Sequence, residues 1–260
     1  MIRDVRVAIR SLSRTPGYAP ICIATFALVV GAAAGIFGAV DGVLLKGLPY
    51  PDAESVVFLG ETSATEPGEA QVSSAFVLDH VASDSRTLED VAVFNIMQAV
   101  LTEEGEPRLY SGAAVTWNYF KALRRTAAMG RTFEESDGAA GSPSRVVISD
   151  ALWRERFRAD PGIIGRSILL SGVSHEVVGV MPPDFRSPDD YIFGARDADI
   201  WRATRFTGTQ PGFRYLRAIA RRKPGVSAPE VQADLDAIRA AIGESFRDWA
   251  AERRLIALPL

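Results

Sequence analysis

The 260-residue chain has one cysteine, Cys22, only two histidines, and no long run of basic residues. A single thiol rules out an internal disulfide and any zinc cluster built on several cysteines. His80 and His175 are 95 positions apart, and neither has a second His, Cys or carboxylate at metal-ligand spacing. No glycine-rich turn carrying Gly-Lys-Ser/Thr is present, which removes the common phosphate loop. No glycine-flanked serine elbow occurs either. The net charge is −3 without a basic stripe, so nucleic acid has nothing to hold. Low-complexity tracts and repeats at a fixed period are absent.

What is present is placed unevenly. Residues 1–45 carry Arg3, Arg6, Arg10 and Arg14 against Asp4 and Asp41, a net of +2; the remaining 25 basic and 30 acidic residues give the body −5. Residues 18–40 (YAPICIATFALVVGAAAGIFGAV) hold no charge over 23 positions. A helix of that length spans about 35 Å, enough for a hydrocarbon core of roughly 30 Å. Its Gly31, Ala32, Ala33, Ala34, Gly35 and Gly38 suit close packing against other membrane helices. The arginines before it, against Lys46 after it, predict a cytoplasmic N-terminus and an external body. Ile2, Val5, Ile9 and Leu12 give residues 1–17 the spacing of a short amphipathic helix on the cytoplasmic face, with a basic tail as the alternative. The competing reading is a cleaved signal peptide ending at Ala32-Ala33-Ala34. Against it, the apolar run continues through Ile36, Phe37 and Val40 to Leu45.

After Pro51, strand and helix signals alternate. Strands are expected at 55–60, 90–102 and 107–116, the last two as a hairpin around Glu103-Glu104-Gly105-Glu106. A helix is expected after Ser74, and helical turns at 117–123. A second block opens near Gly130, with a strand at 145–148, a helix capped by Ser149, and a hairpin of 168–170 with 176–180 that Met181-Pro182-Pro183 stops. A strand at 215–222 follows, with Arg217, Arg221 and Arg222 expected to face outward. Ser227, Pro229 and Glu230 then open a helix to about Phe246 with Val231, Leu235, Ile238 and Ile242 on one face. A short apolar run, 254–258, closes the chain. The fold expected is α+β: one N-terminal transmembrane helix (18–45), then an extracytoplasmic domain (46–260) of two subdomains. One subdomain is discontinuous, 50–125 plus 212–260, with β-α-β halves closing one sheet and helices on a single face; the other, 128–210, is inserted.

No residue is expected to be catalytic, cofactor-binding or metal-binding, and no substrate site is legible. His80 and His175 read as solvated or core residues. Ser149-Asp150 reads as a helix cap. Glu103–Glu106 lacks the alternating ligands of a calcium loop and reads as a solvated hairpin tip. Trp117, Trp153, Trp201 and Trp249 read as core or boundary residues. Asp41 falls at the outer membrane interface, within reach of water.

Several stretches carry a resemblance: DVRVAIRSLSRTPGYA (4–19), VDGVLLKGLPYPDAESVV (40–57), TLEDVAVF (87–94), GRTF (130–133), VVISDALWRERFRADPGIIGRSILLSGVSHEVVGVMPPDF (146–185), DADIW (197–201) and LRAIARRKPGVSAPEVQADL (216–235). Together they resemble the N-terminal half of MacB/FtsX-like ABC-transporter permeases, in particular the bacterial duplicated permeases. The resemblance implies a membrane helix followed by a MacB-like periplasmic core domain, non-catalytic itself. It also implies a separate ABC ATPase, the remaining permease helices, and a periplasmic adaptor or outer-membrane channel as partner, in the cell inner membrane. In the exporter-type members, cytoplasmic ATP hydrolysis moves the outer domain. Such permeases have three more membrane helices after that domain, and none follows here. The chain is therefore expected to be either a piece of a longer permease or a single-span derivative. The alternative function is a membrane-anchored binding or scaffold module without transport.

Overall fold

The computed structural model describes residues 21, 24–31, 50–64, 72–102, 105–188 and 198–260. The chain divides into two units, Met1–Leu48 and Pro49–Leu260. In the first, residues 24–31 are helical and exposed, and Thr25 donates to the Ile21 carbonyl at 2.8 Å. The rest of the expected segments 1–17 and 18–45, including Cys22 and Asp41, lies outside the described residues. Among the described residues no helix is long and apolar enough to cross a membrane.

The second unit is built on one extended sheet. Its strands are β1 (Val56–Ser63), β2 (Ser73–Ser74), β3 (Leu88–Leu101), β4 (Arg108–Val115), β5 (Met129–Gly130), β6 (Arg145–Ile148), β7 (Ser167–Leu170), β8 (Val173–Val180), β9 (Ile200–Ala203), β10 (Arg214–Arg222) and β11 (Arg253–Pro259). The order is β11-β1-β10-β3-β4-β9-β6-β8-β5, with β2 on β10 and β7 bridging β3 and β8. Among the described residues only β4–β9 and β6–β8 pair in parallel. Gly112 makes the first of these contacts feasible, since a Cβ there would stand 2.4 Å from the Ile200 carbonyl. The β7–β8 hairpin turns on Ser171 and Gly172, both at positive φ, as a two-residue turn of this hand requires.

Helices cover mainly one face, as alternation along the strands dictates. Val57 and Leu59 share that face with Ala220, Ala218 and Val93. Over them lie α1 (Ala75–Asp84), α4 (Ala228–Ser245) and α5 (Arg247–Glu252), burying Val77, Leu78, Val81, Val231, Leu235, Ile238, Ile242 and Trp249. Each buried aliphatic side chain there contributes about 1.5–3 kcal/mol. Six and eight positions beyond Val93 along β3, Ala99 and Leu101 carry the same face into a second cluster, covered by α3 (Asp150–Phe157) through Leu152 and Phe157. The helix starts follow the sequence. Ser74 accepts from the Val77 amide at 3.2 Å, Ser149 from Leu152 at 3.0 Å, and Ser227 and Glu230 form a reciprocal capping box.

The opposite face departs from the expectation of helices on one side only. There α2 (Tyr119–Ala122) seats an aromatic chain across the sheet: Phe94–Tyr119 at 5.7 Å, Tyr119–Phe120 at 5.4 Å, Phe120–Trp201 at 5.7 Å and Phe185–Trp201 at 5.2 Å between ring centroids. Edge-on contacts of this kind add to plain area burial. Because this face is covered too, polar residues of β10 on it are enclosed, and this corrects the outward placement of Arg221. Arg221 is 1% exposed. On β10 the alternation itself was legible; the second cover was not.

Candidate functional site: buried charges and an inter-strand cleft

Arg221 is the last residue but one of β10 and points at the segment that leads into β1. Its Nε donates to the Ala122 carbonyl at 2.9 Å, Nη1 to the Asp52 carbonyl at 3.0 Å and to Ser55 Oγ at 2.5 Å, and Nη2 to the Pro51 carbonyl at 3.0 Å. Burial, and the neighbouring Arg124 charge, hold its guanidinium below the usual arginine range. Asp52 takes a left-handed conformation, φ 49°, and its carbonyl also accepts from the Ser55 amide at 2.9 Å and the Ser55 hydroxyl at 2.7 Å. The same segment is tied at its rim by Arg124 to the Asp52 carboxylate, by Arg222 to the Glu54 carbonyl at 2.7 Å, and by the Tyr50 hydroxyl to the Arg186 carbonyl at 2.6 Å.

Glu61, fully buried on β1, accepts from Ser73 Oγ at 2.5 Å and from the Trp249 indole at 3.2 Å, with Arg214 at 3.7 Å. Burial pushes its carboxyl above the ordinary range, although the hydrogen bonds and Arg214 pull the other way. Asp137 is enclosed in the other half of the sheet. It receives Arg131 at 2.6 Å, Arg145 at 2.5 Å and the Glu134 amide at 2.8 Å. Burial opposes its ionisation, but the paired guanidinium groups prevail and its carboxyl lies below the usual range. Asp234 on α4 gathers Ser85 Oγ (2.7 Å), the Arg86 amide (2.9 Å) and Thr87 Oγ1 (2.7 Å), tying α4 to the turn after α1.

A cavity of about 280 Å³ opens between α1, the start of β3, the turn before α2 and the stretch after β9, lined by Leu78, Asp79, Val91, Trp117, Arg205 and Phe206 among others. The residues singled out from the sequence are not brought together. His80 is half exposed and meets Asp84 at 3.1 Å. His175 is buried in β8, its Nδ1 2.8 Å from the Val173 carbonyl, and burial lowers its pKa. Ser149 caps α3 and donates to Asp199 at 2.9 Å, while Asp150 pairs with Arg154 at 2.7 Å. Glu103 and Glu104 lie outside the described residues; Gly105 and Glu106 are exposed. Trp201 and Trp249 are core residues, whereas Trp117 and Trp153 are half-buried at the boundary. Among the described residues no group of three or more His, Cys, Asp or Glu could hold a metal ion.

Sequence reasoning missed Glu61, Asp137 and Arg221. A signal existed for two of them. Glu61 shares strand parity with Val57 and Leu59, and Arg221 with Ile219, so each sits on a face that its apolar neighbours mark as covered. Asp137 lies in a turn-rich stretch, where no periodicity points inward.

The body is thus an α+β fold on one mixed sheet, with its buried charges engaged in structural ties. The structure is similar to the periplasmic region of MacB from Actinobacillus actinomycetemcomitans (TM-score 0.55, 10% identity, covering 80% of this chain and 89% of that one). It is also similar to the extracellular domain of the ABC-type transporter YknZ from Gram-positive bacteria (TM-score 0.53, 13% identity, 77% and 99%). A third likeness is to a domain of a permease-type protein from Porphyromonas gingivalis (TM-score 0.59, 15% identity, 82% and 92%). A comparison with curated protein sequences yields no match. The model of the MacB-like periplasmic core domain matches residues 21–238. The chain belongs to the MacB-like periplasmic core domain family of ABC-type transporter permeases.

Proposed function

We propose that the chain is a permease component of an ABC-type export or mechanotransmission system. In this reading residues 18–45 span the inner membrane with the N-terminus in the cytoplasm, and residues 46–260 form the periplasmic domain. That domain divides into the discontinuous subdomain 50–125 plus 212–260 and the inserted 128–210. It is moved, without catalysing anything itself, by a separate ATPase acting through the remaining permease helices. The observation that carries the reading is the family match over residues 21–238, which runs from the apolar segment into α4. The placement of four arginines ahead of that segment supports the orientation. The body's ties are also of a kind that makes it a stiff unit, suited to being displaced as a whole. A periplasmic adaptor, an outer-membrane channel or a substrate already outside the membrane is the target of the motion.

Affinity purification of the tagged full chain from its native membranes tests this. An ABC ATPase and further permease helices should co-purify. Recovery as a lone species, or release of a mature chain cut behind Ala34 into the surrounding medium, refutes the reading.

A further inference from the structure

Arg221 is a buried cation whose hydrogen-bond partners are all neutral oxygens, and they come from two places far apart in the chain. Ala122 is 99 positions away, and Pro51, Asp52 and Ser55 are 166 to 170 positions away. The first of these ends α2, whose Tyr119 and Phe120 belong to the aromatic chain that crosses both halves of the sheet. The others form the leading segment, the first part of the unit Pro49–Leu260 and, in sequence, what directly follows the apolar stretch. Arg221 itself pairs with Val56 in the ladder, and the Leu260 amide reaches the Val56 carbonyl at 3.4 Å. The leading segment thus meets the sheet and α2 at one side chain.

We propose that Arg221 is the positioning residue that fixes the leading segment to the sheet and to α2, so that displacement of the segment is passed on to the outer domain as a rigid body. This deepens the ABC-permease reading and rests on it. The chemistry favours arginine specifically. A planar fork can direct Nε at α2 while both Nη atoms address the leading segment; an ammonium on a flexible stem can serve one side only. The other ties to this segment are the exposed Arg124–Asp52 pair and Arg222, which solvent weakens, and the Tyr50 hydroxyl, which reaches the Arg186 carbonyl rather than α2 or the sheet. Asp52 adds a reason for a clamp, because a left-handed non-glycine residue persists only where its surroundings over-determine it.

The test is hydrogen exchange on the full chain in lipid nanodiscs, comparing wild type with Arg221→Met, Arg221→Lys and Arg222→Ala. The Val177 amide, bonded to the Arg166 carbonyl within the other half of the sheet, is the internal reference. In Arg221→Met, exchange at Ser55, Val56 and the 123–125 amides should rise about tenfold more than at Val177. Arg221→Lys should release 123–125 while sparing Ser55 and Val56, and Arg222→Ala should leave all of them within about twofold. A proportional rise at every amide in both Arg221 variants, or no rise in either, overturns the proposal.

A second arm uses the complex co-purified with its ATPase. In Arg221→Met, ATP turnover should persist while the nucleotide-dependent change in exchange across β3 and β10 is lost. A variant that retains that change overturns the transmission role. Should no ATPase co-purify, the ABC reading fails, and the nanodisc experiment still decides whether Arg221 clamps the segment.

Discussion

Asp137 and Arg221 are both charges removed from water, and the molecule satisfies them in different ways. Asp137 is answered by opposite charge from close by in sequence, Arg131 and Arg145 being 6 and 8 positions away. Arg221 is answered by neutral oxygens from 99 to 170 positions away. The first arrangement stiffens one stretch of chain within itself. The second joins stretches that would otherwise have no reason to stay together. A buried anion with short-range partners is thus a local fastening, and a buried cation with long-range partners is a joint.

The comparison can be broken by substitution, with unfolding followed on the full chain in detergent micelles. Arg221→Met should cost most, about 3 kcal/mol, since it strands several enclosed acceptors at once. Asp137→Ala should cost less, about 2 kcal/mol, because the arginines it frees are partly exposed (side chains 36% and 22%) and can rehydrate. Equal costs would mean that the exposure of the freed partners is not what sets the two apart. The Asp137 effect should also depend on pH. Its pKa is depressed in the fold, so the stabilisation is present above the ordinary carboxylate range and lost as pH falls below about 4. Wild type and Asp137→Ala should therefore converge in acid. Asp234→Ala, which releases four donors around residues 85–87, should cost about 1–2 kcal/mol and loosen the turn after α1 without affecting β6 or β8.

The smallest effect belongs to Glu61, and it runs in the opposite sense. Its pKa is raised in the fold, so its contribution is greatest below the ordinary carboxylate value and is lost as pH rises through the shifted one. Glu61→Gln can still accept from Trp249 and can donate to Ser73. Its stability should lie within about 1 kcal/mol of wild type and be flatter between pH 5 and pH 8, read as the difference in melting temperature across that range. An unchanged slope in the variant would show that the carboxylate is ionised in the fold across that range.

Much of the body was legible before any coordinates. The strand at residue 56, the hairpin of β3 and β4, the β6–α3 unit capped by Ser149, the β7–β8 hairpin and the apolar face of α4 all appear where periodicity and caps place them. These features are set by neighbours within a few residues, and sequence displays such neighbours directly. The buried charges were not legible in that way. Whether Glu61 or Arg221 meets water depends on what covers the strand, and the covers are α5 and α2, supplied from far along the chain.

The sequence by itself determined the longer elements, the starts of α1, α3 and α4, and the family, because these follow from local spacing, capping chemistry and a long shared pattern from residue 21 to residue 238; β2, β5, β9 and α5 were not legible in it. Only the tertiary structure decided that the sheet is covered on both faces, that β7 bridges its two halves, and that Arg221 reaches residues 51, 52, 55 and 122 at once. The reason is physical: burial of a polar group is a property of everything packed around it, and a strand's own residues specify only half of that surrounding.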